Sequence, residues 1–185
     1  MNSRSVEDIY PLSPMQQGML FHTLLDPEAG TYIEQTCCIL RGQVRSDIFQ
    51  RAWQQMVDRH TILRTGFVWE GVATPLQVVY RHVDLPFRYE DWRTLPTKEQ
   101  QARLEAMLAE DRARGFDLAS APLMRLSLVR IADDAWHFSW VHHHLLIDGW
   151  SLPLLLQECF TLYAGMIGGA PPVLPPVPPL SLIHI

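Results

Sequence analysis

The chain has 185 residues, 48% of them hydrophobic, a formal net charge of -5 and a pI near 5.9. That length serves one compact domain or one lobe of a larger one, with apolar residues enough for a real core. The acidic balance lacks the basic footprint of a nucleic-acid binder, and no apolar run reaches the ~20 residues of a membrane span. "MNSRSVEDIYPLSP" has no apolar core after its arginine, so it does not read as a secretory signal. Cys37, Cys38 and Cys159 show no CxxC spacing and read as buried thiols of a reducing compartment. The expectation is a cytoplasmic protein that engages neither nucleic acid nor membrane.

The first predicted element is a helix in "YPLSPMQQGMLFHTLLDP". Ser13 suits the N-cap, Pro14 the first turn, and Gln16 completes a capping box. Leu20 with Leu24, and Phe21 with Leu25, form two rows that should face a core, and Asp26-Pro27 stops the helix. "YIEQTCCIL" reads as a strand before Gly42. The pattern of "SDIFQRAWQQMVDRH" predicts a helix burying Ile48, Phe49, Ala52, Trp53, Met56 and Val57. "GFVWE" and "PLQVVY" read as strands flanking a turn at Gly71, before a polar link through Asp84, Pro86 and Asp91. Thr97 and Gln100 predict a capping box for "KEQQARLEAMLAEDRAR", with Gly115 as the stop. "PLMRLSLVRI" and "AWHFSWVHH" read as a hairpin around Asp133-Asp134. The last helix, "WSLPLLLQECFTLYAGMI", is capped by Ser151 and apolar at 152, 155, 156, 159, 160, 163 and 167, so it should be deeply packed. This order predicts an α/β sandwich with a mixed sheet packed with helices, and no internal repeat is visible. Residues 1–170 form the expected folded unit. Residues 171–185 read as a proline-rich linker, "PPVLPPVPPL", and a truncated tail, "SLIHI", whose apolar residues have nothing after them to pack with. That tail raises the question of a non-native end.

Chemistry is concentrated in "SWVHHHLLIDGWSLPLLLQ", residues 139–157. Side chains alternate along a strand, so His142 and His144 should face one way and His143 the other. A strand that ends in histidine and bends through Leu145, Leu146 and Ile147 puts His144 at a sheet edge, with a ring nitrogen toward a cleft. Imidazole, with an unperturbed pKa of about 6.5, suits proton transfer near neutrality. Asp148 could pair with a nearby arginine, and Gly149 would let a substrate or a backbone come close. A metal site is a rival, but no third ligand stands at a recognisable spacing. Histidines without chemistry are the other alternative. Neither a GxSxG nucleophile motif nor a phosphate-binding glycine pattern occurs.

"HHLLIDG" (143–149) resembles the HHxxxDG motif of the condensation domains of nonribosomal peptide synthetases. "LSPMQQGMLFH" (12–22) resembles the opening motif of that family, and "RHTILRTGF" (59–67) its RHxxLRTxF motif, with Thr61 where the common form has Glu. The HHxxxDG motif alone is also compatible with a wider acyltransferase superfamily that shares HxxxD. The resemblance covers residues 5–178 and implies the N-terminal lobe of a two-lobed, chloramphenicol-acetyltransferase-like fold. The C-terminal lobe is missing from the match.

The resemblance further implies amide formation between an upstream acyl or peptidyl thioester and the amine of a downstream aminoacyl thioester. Both would be held on phosphopantetheine arms, with no cofactor or metal bound directly. The implied partners are upstream and downstream peptidyl carrier proteins, an adenylation domain of the same synthetase and the missing lobe. His144 would hold or deprotonate the amine or stabilise the tetrahedral intermediate. His143 would support the bend, Asp148 would pair with Arg64 as a structural element, and Gly149 would present its N–H to the reacting centre. His142 is a bystander in this reading. "SPMQQGMLFH" with "YIEQ" leans toward donors that end in a D-residue. Epimerisation domains, which share HHxxxDG, and a docking fragment without activity are the alternatives. The lobe alone is expected to expose apolar surface, to associate and not to catalyse condensation.

Overall fold

The amphipathic pattern at 46–59 forms a helix, α2 (Ser46–Arg59), whose buried residues are the six expected: Ile48, Phe49, Ala52, Trp53, Met56 and Val57. In the computed structural model, which describes residues 5–27, 29–170 and 172–177, the other elements are arranged around it. They are β1 (Val6–Pro11), α1 (Pro14–Leu25), β2 (Ile33–Arg41), β3 (Thr65–Val68), β4 (Leu76–Tyr80), β5 (Phe87–Asp91), α3 (Thr97–Ala113), β6 (Met124–Ala132), β7 (Ala135–His143) and α4 (Ser151–Gly168). A short 3-10 turn, Thr61–Arg64, joins α2 to β3.

The strands form two sheets. One has the order β2-β7-β6-β5 and the other β1-β4-β3. The β5–β6 pair is parallel and the other pairs are antiparallel, so the larger sheet is mixed as expected. Its two faces carry different cores. Leu128 lies in the main core and the next residue, Val129, in a smaller cluster with Trp92 and Met107 of the α3 side. On the main side Trp53 stacks on Phe138 at 5.8 Å and meets Trp140 edge-on at 4.8 Å. Phe49 meets both Phe138 (5.3 Å) and Tyr163 (5.7 Å) edge-on, so α2 is held between β7 and α4.

Several expectations are corrected. β1 and β5 were not foreseen, and β5 runs through the supposed polar link; both are strands because β4 and β6 supply their hydrogen bonds. On α1 the buried residues are Gln16 and Leu20, while Phe21 and Leu25 are exposed. On α4 burial is confined to Leu155, Cys159 and Leu162, and Leu154, Phe160 and Ile167 are exposed. α3 has no Thr97–Gln100 capping box: Pro96 holds the cap position, and Gln100 Nε2 donates to the carbonyls of Trp92, Leu95 and Ile131. Ser151 is the first residue of α4 and makes no side-chain cap. Cys159 is buried, but Cys37 and Cys38 are exposed on β2, an edge strand with one flank open.

Residues 172–177 of the proline-rich exit lie against α4. Pro172 packs on Gly165, the Pro175 carbonyl accepts from Arg59, and Val177 shares a cavity with Ser151, Leu154 and Leu155. "SLIHI" lies outside the described residues. No helix among the described residues is long and apolar enough to cross a membrane.

Candidate active site

All nine residues of β7 are buried, and the strand ends at His143. The turn follows at once because Leu145, Leu146 and Ile147 drop into the main core. Backbone bonds fix it: His143 N–H donates to Leu123 O (3.0 Å), His144 N–H to Tyr32 O (2.8 Å) and Leu146 N–H to His143 O (3.0 Å). The three histidines thus occupy three environments. His142 is buried with its ring 4.9 Å from Trp140. His143 is also buried, with Nδ1 accepting from Leu145 N–H (3.1 Å) and Nε2 3.3 Å from Thr23 Oγ1. Burial pushes both imidazoles down to about 4, with the neighbouring histidine charges acting in the same direction. His144 lies just past the strand with its side chain 32% exposed and Nδ1 3.6 Å from the Glu34 carboxylate.

The expected Asp148–Arg64 ion pair does not form among the described residues. Arg64, only 5% exposed, donates to Glu7 and to the Tyr80 carbonyl, tying the 3-10 turn to β1 and β4. The Arg64 hydrogen bond holds the Glu7 carboxyl below its ordinary value. Asp148 is exposed and accepts Ser151 N–H at 2.8 Å. It therefore caps α4 from outside, where a free N–H and the positive end of the helix favour a carboxylate. That bond holds its carboxyl low. Each of the two residues has a nearer partner than the other. A Cβ added at Gly149 meets nothing within 4 Å, so no packing in this lobe requires a glycine there.

Residues outside the expected set hold the bend. Gln16 keeps its capping role, since Oε1 accepts Ser13 N–H at 3.0 Å. Its Nε2 donates to Leu145 O (3.1 Å) and Gln77 Oε1 (3.1 Å), and Gln77 Nε2 returns a bond to Gln16 Oε1 (3.0 Å). The capping pattern revealed one end of this amide; the other end depends on a contact 129 positions away. Arg59 and His60 both bind Glu158 of α4, so the second motif fastens helices together as well as supplying Arg64. Burial lowers the His60 pKa, and Glu158 opposes that effect. A cavity of about 570 Å³ opens beside the bend, lined by His143 along with Thr23, Tyr32, Trp69 and Phe116; His144 is not part of its wall. Among the described residues no three His, Cys, Asp or Glu side chains converge as a metal ion requires.

A family described as Condensation domain matches residues 6–182. Linear gramicidin synthase of Brevibacillus parabrevis contains a stretch 47% identical over 166 residues, which is 90% of this chain and 2% of that protein. Bacitracin synthase 1 of Bacillus licheniformis is 40% identical over 89% of this chain and 3% of its own length. Among solved structures, the starter condensation domain of rhizomide synthetase superposes with a TM-score of 0.86 at 20% identity, over 96% of this chain and 44% of its own. The first condensation domain of the calcium-dependent antibiotic synthetase, in complex with a substrate analogue, gives 0.81 at 20% identity, over 91% and 40%. The chain therefore spans less than half of the solved domains and a small share of the synthetases, and within that span it belongs to the condensation-domain family.

Proposed function

We propose that this chain is the N-terminal lobe of an amide-forming domain and that His144 works at its reacting centre. An amine of a downstream aminoacyl thioester attacks the carbonyl carbon of an upstream acyl or peptidyl thioester. The C–N bond forms, the C–S bond breaks, and the proton lost by the amine ends on the departing sulfur. His144 holds the amine or carries that proton. Phosphopantetheine arms of two carrier proteins deliver the thioesters, and an adenylation domain of the same synthetase loads the downstream one. Most of the rate comes from holding two tethered ends together, an advantage of about 7–11 kcal/mol when fully realised.

The observation that carries this reading is the place of His144. It is the first residue after a strand buried from end to end, yet its ring keeps access to solvent. Glu34 beside Nδ1 favours an imidazolium and orients the ring. Gly149, with no side chain and open space around it, is suited to close approach by substrate.

The test joins residues 1–178 to a second lobe and supplies both carriers loaded. A new amide on the downstream carrier, seen by intact mass, is the expected product. Inversion of the upstream α-carbon without amide formation would make the domain an epimerase, and no change in either substrate would leave a docking lobe.

A further inference from the structure

The helix α1 reaches the bend twice, and one of those contacts reads the protonation of a ring. Thr23 Oγ1 lies 2.9 Å from Met19 O, four residues back on the same helix, and donates its single hydrogen there. What it offers to His143 Nε2, 3.3 Å away, is a lone pair. Nε2 must then carry a hydrogen. Nδ1 accepts Leu145 N–H at 3.1 Å and must not. Both contacts demand the same neutral tautomer, and His143 is 1% exposed, so solvent cannot satisfy another. In the opposite tautomer two N–H donors would face each other at Leu145 and the turn would open.

We propose that Thr23 is a positioning residue: its hydroxyl fixes His143 in the Nε2–H tautomer, and that tautomer sets the turn that carries His144. The Leu145 peptide is gripped on both sides, its N–H by His143 and its carbonyl by Gln16 Nε2 at 3.1 Å. Between these anchors sits His144, whose own N–H is bound to Tyr32 O. The orientation of His144 is thereby dictated from α1. This rests on reading His144 as the reacting histidine.

The test compares Thr23→Val, which keeps the shape and removes the hydroxyl, with Thr23→Ser, which keeps the hydroxyl. In the 185-residue chain, ¹⁵N spectra of labelled histidine report which ring nitrogen bears hydrogen. The wild type and Thr23→Ser should show a single Nε2–H form of His143. Thr23→Val should show a mixture, with Leu145 N–H exchanging about tenfold faster, the factor carried by one ordinary hydrogen bond. In a two-lobed domain Thr23→Val should lower kcat about tenfold at unchanged KM, as a misplaced reacting group does, and Thr23→Ser should restore it. An unchanged tautomer and unchanged Leu145 exchange in Thr23→Val overturn the proposal whatever the activity. So does an altered tautomer with full activity, or an activity loss that serine does not rescue, in a domain that His144→Ala inactivates. If His144→Ala is itself silent, the functional reading fails, and the ring and amide results still decide whether Thr23 sets the turn.

Discussion

Burial opposes the charged form at His60, His137, His142 and His143, and all four imidazoles are pushed down. In the unfolded chain each titrates near about 6.5. As pH falls from there toward 4, the unfolded chain binds protons that the native state refuses. Stability is therefore full above about pH 6.5, declines through that window and levels off below it, with about 3 kcal/mol at most from each of His142 and His143. Urea unfolding at pH 7.5, 6 and 5 should show the decline, and His142→Leu should shallow it; an unchanged midpoint over that range would contradict it. Glu7 and Asp148, whose carboxyls are held low, weaken the fold in the same direction only at lower pH. Arg64 gives a second prediction. Arg64→Ala removes charged hydrogen bonds to Glu7 and the Tyr80 carbonyl, a loss of about 2 kcal/mol. In double-mutant cycles on unfolding free energy, Arg64 should couple to Glu7 and be additive with Asp148 within about 0.5 kcal/mol. Coupling to Asp148 in place of Glu7 would restore the pairing that the family motif suggests.

Two glycines separate packing from chemistry at the level of the elements. A Cβ at Gly66 on β3 would sit 2.9 Å from the Ala119 backbone oxygen, beside the bond from Phe67 N–H to Leu118 O (2.8 Å). Gly66→Ala should therefore shift the strand and cost about 2 kcal/mol in chemical denaturation, as overpacking does. Gly149→Ala meets open space and should leave the stability of this lobe unchanged. Loss of stability in the second variant and not the first would invert the assignment. The elements that were legible in the sequence were those whose own residues decide them. α2 has a full apolar face at helical spacing, and β6 and β7 are apolar runs joined by a tight turn. β1 and β5 are polar, half-exposed strands that exist because a partner strand accepts them, and no local pattern announces that. The site divides along the same line. The bend at His144 was visible because an apolar triplet follows the histidines. The hold of Gln16 and Thr23 on that bend was not, because it joins positions 129 and 120 residues apart. The Arg64–Asp148 pair was inferred from opposite charge, whereas Arg64 finds a carbonyl and a carboxylate on its own sheet and Asp148 finds a helix end.

At the scale of the molecule, α4 is the face that this lobe leaves open. Trp150 is 88% exposed at its start, and Leu154, Phe160 and Ile167 are exposed along it. Apolar surface of that kind is costly to leave in water. Residues 1–185 alone are expected to self-associate in sedimentation velocity as concentration rises and to form no amide with loaded carriers. A monomer that condenses at the rate of a two-lobed domain would make this lobe self-sufficient. A reacting histidine held by one lobe needs the other substrate end brought to it, and the energetic gain from that enclosure is the larger part of the catalysis. What this lobe contributes is His144 at the end of β7, and the most direct measurement is a single turnover in a two-lobed domain with both carriers pre-loaded. His144→Ala should form the amide at least about 10²-fold more slowly than wild type, with the substrates still bound. Equal rates would contradict the assignment and leave tunnel positioning, without His144, as the source of catalysis.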